Sequence, residues 1–173
     1  EREALLQNAA DGVNREQATD YHRFVLELAL VAAVEADAAD QPLSDGTWEQ
    51  LARMLDAAAA VLDVAGRPPR QGDGDEGHAV LLDGPEQDPW ATVLGSGASL
   101  LDSPQWWPPV AGGIQAQLLG GLGRRRRPSR ADQRPRQFSK AGLVLLRSRP
   151  EDGPGARLVI SIQAYNAGAG GGD

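Results

Sequence analysis

The sequence predicts a mainly helical chain that closes in β-structure, and three observations carry that expectation. Two long segments between residues 15 and 65 repeat apolar residues at spacings of three and four, the helical period. A Pro- and Gly-rich middle, residues 66–136, breaks regular patterning into short pieces. After residue 137 the apolar residues come in short runs flanked by turn formers, as in strands. Helices first and strands last means α+β, or an all-α domain followed by the start of a β domain.

The segment from Glu1 to Ala9 is rich in helix formers and carries no cap before it, so it reads as the end of a helix that began upstream. Asp11-Gly12 signals a turn. A second helix is expected from about Arg15 to Asp37. Its stripe is Tyr21, Phe24, Val25, Leu28, Val31 and Ala32, widened by Leu26, Leu30 and Val34. Pro42 interrupts, and Ser44 or Asp45 is placed to cap a third helix over 47–65. Gly66 and Pro68-Pro69 stop it. The short linker makes these two helices a hairpin. Beyond a Gly- and Asp-rich loop, 67–77, the run 78–82 is a strand or part of a turn. Short helices are expected at 90–93, 98–102 and 113–119. Residues 124–136 form an Arg/Pro-rich linker, and strands are expected over 138–147 and 157–162, with the turn at 151–155. The tail 167–172 is Gly-rich and reads as disorder or an abrupt chain end.

Composition narrows the function. The 173 residues hold no Cys, which excludes disulfide scaffolds, thiolate metal sites and a Cys nucleophile. Seventeen basic residues stand against 24 acidic ones. The net charge of −7 argues against bulk attraction to nucleic acid or anionic membrane. No apolar run is long enough to span a membrane. There is no P-loop lysine, dinucleotide glycine fingerprint or zincin motif, and the glycines at 95 and 97 are too short a pattern to count.

Three clusters are dense in chemistry. The first runs from Asp11 to Phe24. One reading is structural: Asp11 or Asn14 caps, Glu16 favours the helix dipole, and Tyr21 packs. The other is functional: Glu16, Thr19 and Arg23 crowd a helix end that favours anions, and His22 and Arg23 flank Tyr21, whose phenol pKa of about 10 a nearby cation lowers. The second, Gly66 to His78, puts three carboxylates in four positions, but not at EF-hand spacing; a solvated acidic loop fits better. The third is Arg124 to Arg127 with Arg130, Arg134 and Arg136. No aromatic is interleaved for base stacking, so a solvated linker is the expectation, with attraction to an acidic polysaccharide as the functional alternative.

The stretch Gln7 to Leu28, with its core Asp11-Gly12-Val13-Asn14-Arg15-Glu16-Gln17-Ala18-Thr19-Asp20-Tyr21-His22-Arg23-Phe24, resembles the heparinase II/III-like family of polysaccharide lyases. The loop Arg67-Pro68-Pro69-Arg70 through Gly72-Asp73-Gly74-Asp75-Glu76-Gly77 is similar to that family's Gly-Asp-x-Asp loop. Phe138 to Ser148 is similar to the strand that opens its C-terminal β domain. The resemblance implies a partial (α/α) toroid of helical hairpins over 1–123, the linker 124–136, and the beginning of an antiparallel β-sandwich over 137–173. It implies β-elimination of a uronate-containing acidic polysaccharide, with Tyr21 as proton donor to the leaving oxygen and the role of base open to the same residue. Glu16, His22 and Arg23 would support Tyr21 or contact substrate. No cofactor or metal is implied, and the location is periplasmic or extracellular. Two family features fall outside the chain, the Asn-His pair before the tyrosine and a His-containing motif in the sandwich. The chain therefore reads as a fragment, inactive alone, whose two strands leave an edge and an apolar face uncovered. The alternative is a non-catalytic helical module that binds acidic glycans, or a surface-polysaccharide assembly protein.

Overall fold

The computed structural model describes residues 1–74, 77–110 and 112–147, together with the backbone of 159–163. The expected turn at 151–155 and the tail at 167–172 lie outside the described residues, as do Asp75 and Glu76 of the acidic loop. The order is α1 (Arg2–Leu6), α2 (Thr19–Ala38), α3 (Asp45–Val61), α4 (Pro89–Leu100), α5 (Ile114–Leu122), β1 (Gln137–Phe138), β2 (Leu143–Arg147) and β3 (Val159–Gln163). The strands form an antiparallel sheet in the order β1-β2-β3, with Leu143 opposite Gln163 and Arg147 opposite Val159. No helix among the described residues is long and apolar enough to cross a membrane.

α3 is the centre of the core. Ser44 caps it as its sequence suggests, its hydroxyl accepting the Thr47 N–H. Trp48, Leu51, Met54 and Leu55 are fully enclosed, each worth about 2 kcal/mol of apolar burial. The run Ala57–Ala60 keeps the other side thin enough for neighbours to close in. α4 forms as one helix across the two expected fragments, with Asp88 capping and Pro89 in the first turn. Its Gly97 has a packing reason: a Cβ there would sit 2.4 Å from a methyl of Leu55, so glycine lets α4 approach α3.

α2 starts at Thr19 rather than Arg15, and it turns the other way. Its buried residues are His22, Arg23, Leu26, Glu27, Leu30, Ala33, Val34 and Asp37. Tyr21, Phe24, Val25 and Val31 are half-buried, and Leu28 and Ala32 are exposed. Of the expected stripe, Val25 and Val31 only edge the core and Leu28 and Ala32 face outward, while the residues expected only to widen it, Leu26, Leu30 and Val34, are the ones that enter the core. Apolar counting misses this because the buried face carries four polar residues, and each is hydrogen-bonded.

The segment 124–136 is a strap laid on the helices, not a solvated linker. Asp37 accepts from the Arg124 N–H and pairs with the Arg126 guanidinium, which also lies 5.0 Å from the Trp48 ring. Asp56 takes Arg130 through both carboxylate oxygens, at 2.6 and 3.1 Å, and the Trp107 indole N–H at 2.9 Å. Arg125 and Arg127 share the exposed Asp102, and Arg124 reaches Asp40. The strap leads β1 and β2 onto the helices. Phe138, Ala141, Leu143 and Leu145 join the helical core, so this face of β1 and β2 is covered, contrary to the apolar exposure expected there.

Candidate functional site

The three sequence blocks are far apart in the chain and meet in the fold. Asp11 accepts the backbone N–H groups of Lys140 and Ala141, at 2.6 and 3.2 Å. Gln17 donates its amide to the Ala141 carbonyl at 2.9 Å. On the other side, the Gln71 carbonyl accepts the Thr19 N–H and hydroxyl, while the Gln71 amide donates to the Gln17 carbonyl. Arg23 donates to the Gly77 carbonyl at 2.8 Å. The 11–23 segment therefore clamps both the 67–77 loop and the 138–147 hairpin.

Within the clamp, most motif residues have a structural task. Gly12 (φ +97°) lies against the α3 backbone, where a Cβ would be 2.3 Å from the Arg53 carbonyl. At Gly72 (φ +71°) a Cβ would be 2.6 Å from that of Ala18. Asn14 bonds Asn8, the Glu16 N–H and the His22 ring. α2 has Ala18 at its N-cap without a side-chain cap, so the expected capping by Asp11 or Asn14 is replaced by the Gln71 carbonyl.

His22 is buried with both ring nitrogens engaged: Nδ1 accepts the Asn14 N–H at 3.2 Å, and Nε2 faces the Met54 carbonyl at 3.0 Å. Those partners require the neutral ring with its proton on Nε2. Burial outweighs the Met54 bond and pushes His22 down to about 4. It carries no positive charge to offer Tyr21 at neutral pH. The ring is neutral in the fold but protonates below about 6.5 in the unfolded chain, so the unfolded state binds more protons between those values. Stability is expected to be full above a pH of about 6.5 and to fall as pH drops toward about 4, by on the order of 3 kcal/mol. Urea melts between about pH 7 and pH 4 check this, and His22→Gln should flatten that part of the profile.

Arg23, only 2% exposed, lies beside Glu27 at 3.5 Å in the same helix. Glu27 accepts the Ala79 N–H and the Gln115 amide. This buried network ties the loop after Gly77 to α2 and α5. Glu16 is exposed ahead of α2, and among the described residues only its backbone N–H is bonded.

Two concavities flank the first turn of α2. A small, partly open cavity of about 40 Å³ lies at the clamp, between Asn14, Thr19, His22 and Gln71 and the apolar Ala57, Trp90 and Leu145. An open cleft of about 540 Å³ is walled by Pro68, Leu81, Pro85, Pro89 and Trp90 and carries Asp20, Arg23 and His78. Tyr21 lines neither. It stands half-buried at the N-terminal end of the outer α2 face, and its hydroxyl takes no hydrogen bond among the described residues. His78, exposed at the cleft, closes the second sequence cluster but is given no role there; its place next to the Gly-rich loop is the available signal. Among the described residues no group of three or more His, Asp or Glu side chains is placed to hold a metal ion.

Compared with protein-family models, with curated proteins and with solved structures, the chain finds no match.

Proposed function

We propose that this chain is part of a polysaccharide lyase of the heparinase II/III-like kind, acting on a uronate-containing acidic polysaccharide by β-elimination, with Tyr21 as the proton donor. The observation that carries the reading is the meeting of the three resembling blocks in one clamp around the start of α2. In that turn the hydroxyl of Tyr21 takes no hydrogen bond among the described residues, whereas His22 and Arg23 are spent on holding the clamp together.

In the reaction, the uronate C5–H bond breaks, the C4–O bond breaks, and a C4=C5 double bond forms. The C5 proton passes to a base as the leaving oxygen takes a proton from Tyr21; where Tyr21 is itself the base, its phenolate takes the C5 proton first and hands it to the leaving oxygen. A phenol suits this work because it acts as acid in one form and base in the other. The partial-toroid architecture belongs to the same proposal. A hairpin in a toroid has neighbours on both sides, and the outer α2 face, Tyr21, Leu28 and Ala32, is the surface such a neighbour would cover. That neighbour would complete the site around Tyr21, which makes the chain inactive alone. A periplasmic or extracellular location goes with a polymeric substrate.

Tyr21→Phe in the full-length protein is expected to lower the rate of unsaturated-product formation by about 10²–10⁴-fold. The melting midpoint should hardly move, because the hydroxyl has no partner among the described residues. Product at the unchanged rate would remove Tyr21 from the mechanism. Glycan binding without product in either protein would favour the non-catalytic module.

A further inference from the structure

We propose that Arg134, Arg136 and Arg147 form an oxyanion site at the C-terminal end of α3, suited to a carboxylate or sulfate group. α3 ends at Val61 without a glycine cap, and its last carbonyls are answered by side chains from the strap and from β2. Arg134 donates through Nη2 to the carbonyls of Ala59 and Leu62, at 2.9 and 2.6 Å, and Arg147 donates through Nη2 to that of Ala60. Two guanidiniums are thus held within one helical turn.

A guanidinium has five N–H groups, and these two spend few of them. The Nε–H groups of Arg134 and Arg147 are both shut away from solvent and have no acceptor among the described residues. The third cation, Arg136, is exposed, and its side chain makes no hydrogen bond or ion pair among the described residues. Arg147 feels the charge of both neighbours in the cluster, Arg134 on one side and Arg136 on the other. Burial and then the charge of Arg147 push Arg134 down to about 10, and burial and then the charge of Arg136 lower Arg147. The carboxylate that reaches Arg147 is Asp63, which is already committed to the Arg67 guanidinium and to the N–H groups of Ala65 and Arg67.

The contrast with the rest of the strap is what assigns the site. Arg124, Arg125, Arg126, Arg127 and Arg130 each have an aspartate. Arg134, Arg136 and Arg147 have none among the described residues, in a chain whose net charge is −7. An oxyanion supplies the missing charge, and arginine's planar fork fits carboxylate and sulfate.

The test is a titration of the whole 173-residue chain with sodium sulfate against sodium chloride at matched ionic strength, following the arginine Nε–H resonances. Saturable shifts at Arg134 and Arg147 with sulfate alone are expected. Arg136→Gln should weaken the affinity about fivefold. This variant decides, because Arg136 caps nothing and its loss leaves α3 intact, whereas Arg127→Gln, on Asp102, should change nothing. A second arm adds a uronate oligosaccharide. Competition with sulfate would identify a glycan as the natural source of the anion, and its absence would leave a free oxyanion as the occupant. Shifts equal to those of chloride, or unchanged affinity in Arg136→Gln, would overturn the site. The readout is anion binding, so neither outcome tests proton donation by Tyr21.

Discussion

Gly12→Ala is expected to destabilise the chain by about 3 kcal/mol or more, lowering the thermal midpoint by about 6–12 °C. Two costs combine. At φ +97° an L side chain is strained wherever it sits, and here the new Cβ would fall 2.3 Å from both the carbonyl carbon and the oxygen of Arg53. The obstacle is helix backbone, which cannot rotate aside. The neighbouring bonds fix the turn from both sides: the Gly12 N–H donates to the Ala9 carbonyl, which also accepts the Gln50 amide. Gly46→Ala is the matched control. Gly46 lies in the first turn of α3 with nothing within 4 Å of its Cβ position, so the same change should gain about 0.5–1 kcal/mol.

Asp56→Ala should cost about 3–5 kcal/mol, because it leaves a buried guanidinium without its counter-charge. Arg130 and Asp56 are 10% and 8% exposed as side chains, and Asp56 also receives the Trp107 indole N–H, while Arg130 stacks 4.9 Å above that ring. Removing the carboxylate therefore loosens the strap and the Trp107 segment together. Chemical denaturation followed by tryptophan fluorescence reads both. The double change Asp56→Leu with Arg130→Met should recover most of the loss, since an apolar pair of similar volume replaces a buried ion pair at little cost. If Asp56→Ala melts like the parent chain, the strap does not hold the fold.

The helices α2 and α3 are legible in the sequence because their apolar period is long and regular. The facing of α2 is not. Periodicity counts Tyr21 and Leu28 as core and His22, Arg23, Glu27 and Asp37 as surface, whereas the fold buries the second set among hydrogen-bond partners from distant loops. The Arg-rich run is legible as charge but not as a strap. Its aspartates, Asp37, Asp56 and Asp102, stand on three different parts of the chain, and only tertiary packing lines them up beneath it. α4 reads as two fragments because Gly95, Ser96 and Gly97 are poor helix formers; contact with α3 supplies what local preference lacks. In the candidate site, the motif from Asp11 to Arg23 is legible as a unit. That most of it is clamp, with Tyr21 left over, emerges only when the loop and the hairpin close around it.

β-Elimination is tested most directly by the mass of its product. The full-length protein would be incubated with a uronate polysaccharide in ¹⁸O-labelled water. Elimination adds no water, so the new non-reducing ends are expected to be unsaturated, one water lighter than a hydrolysis product, and free of label. Saturated ends, with label incorporated at the cleaved bond, would contradict it, and so would an intact polymer.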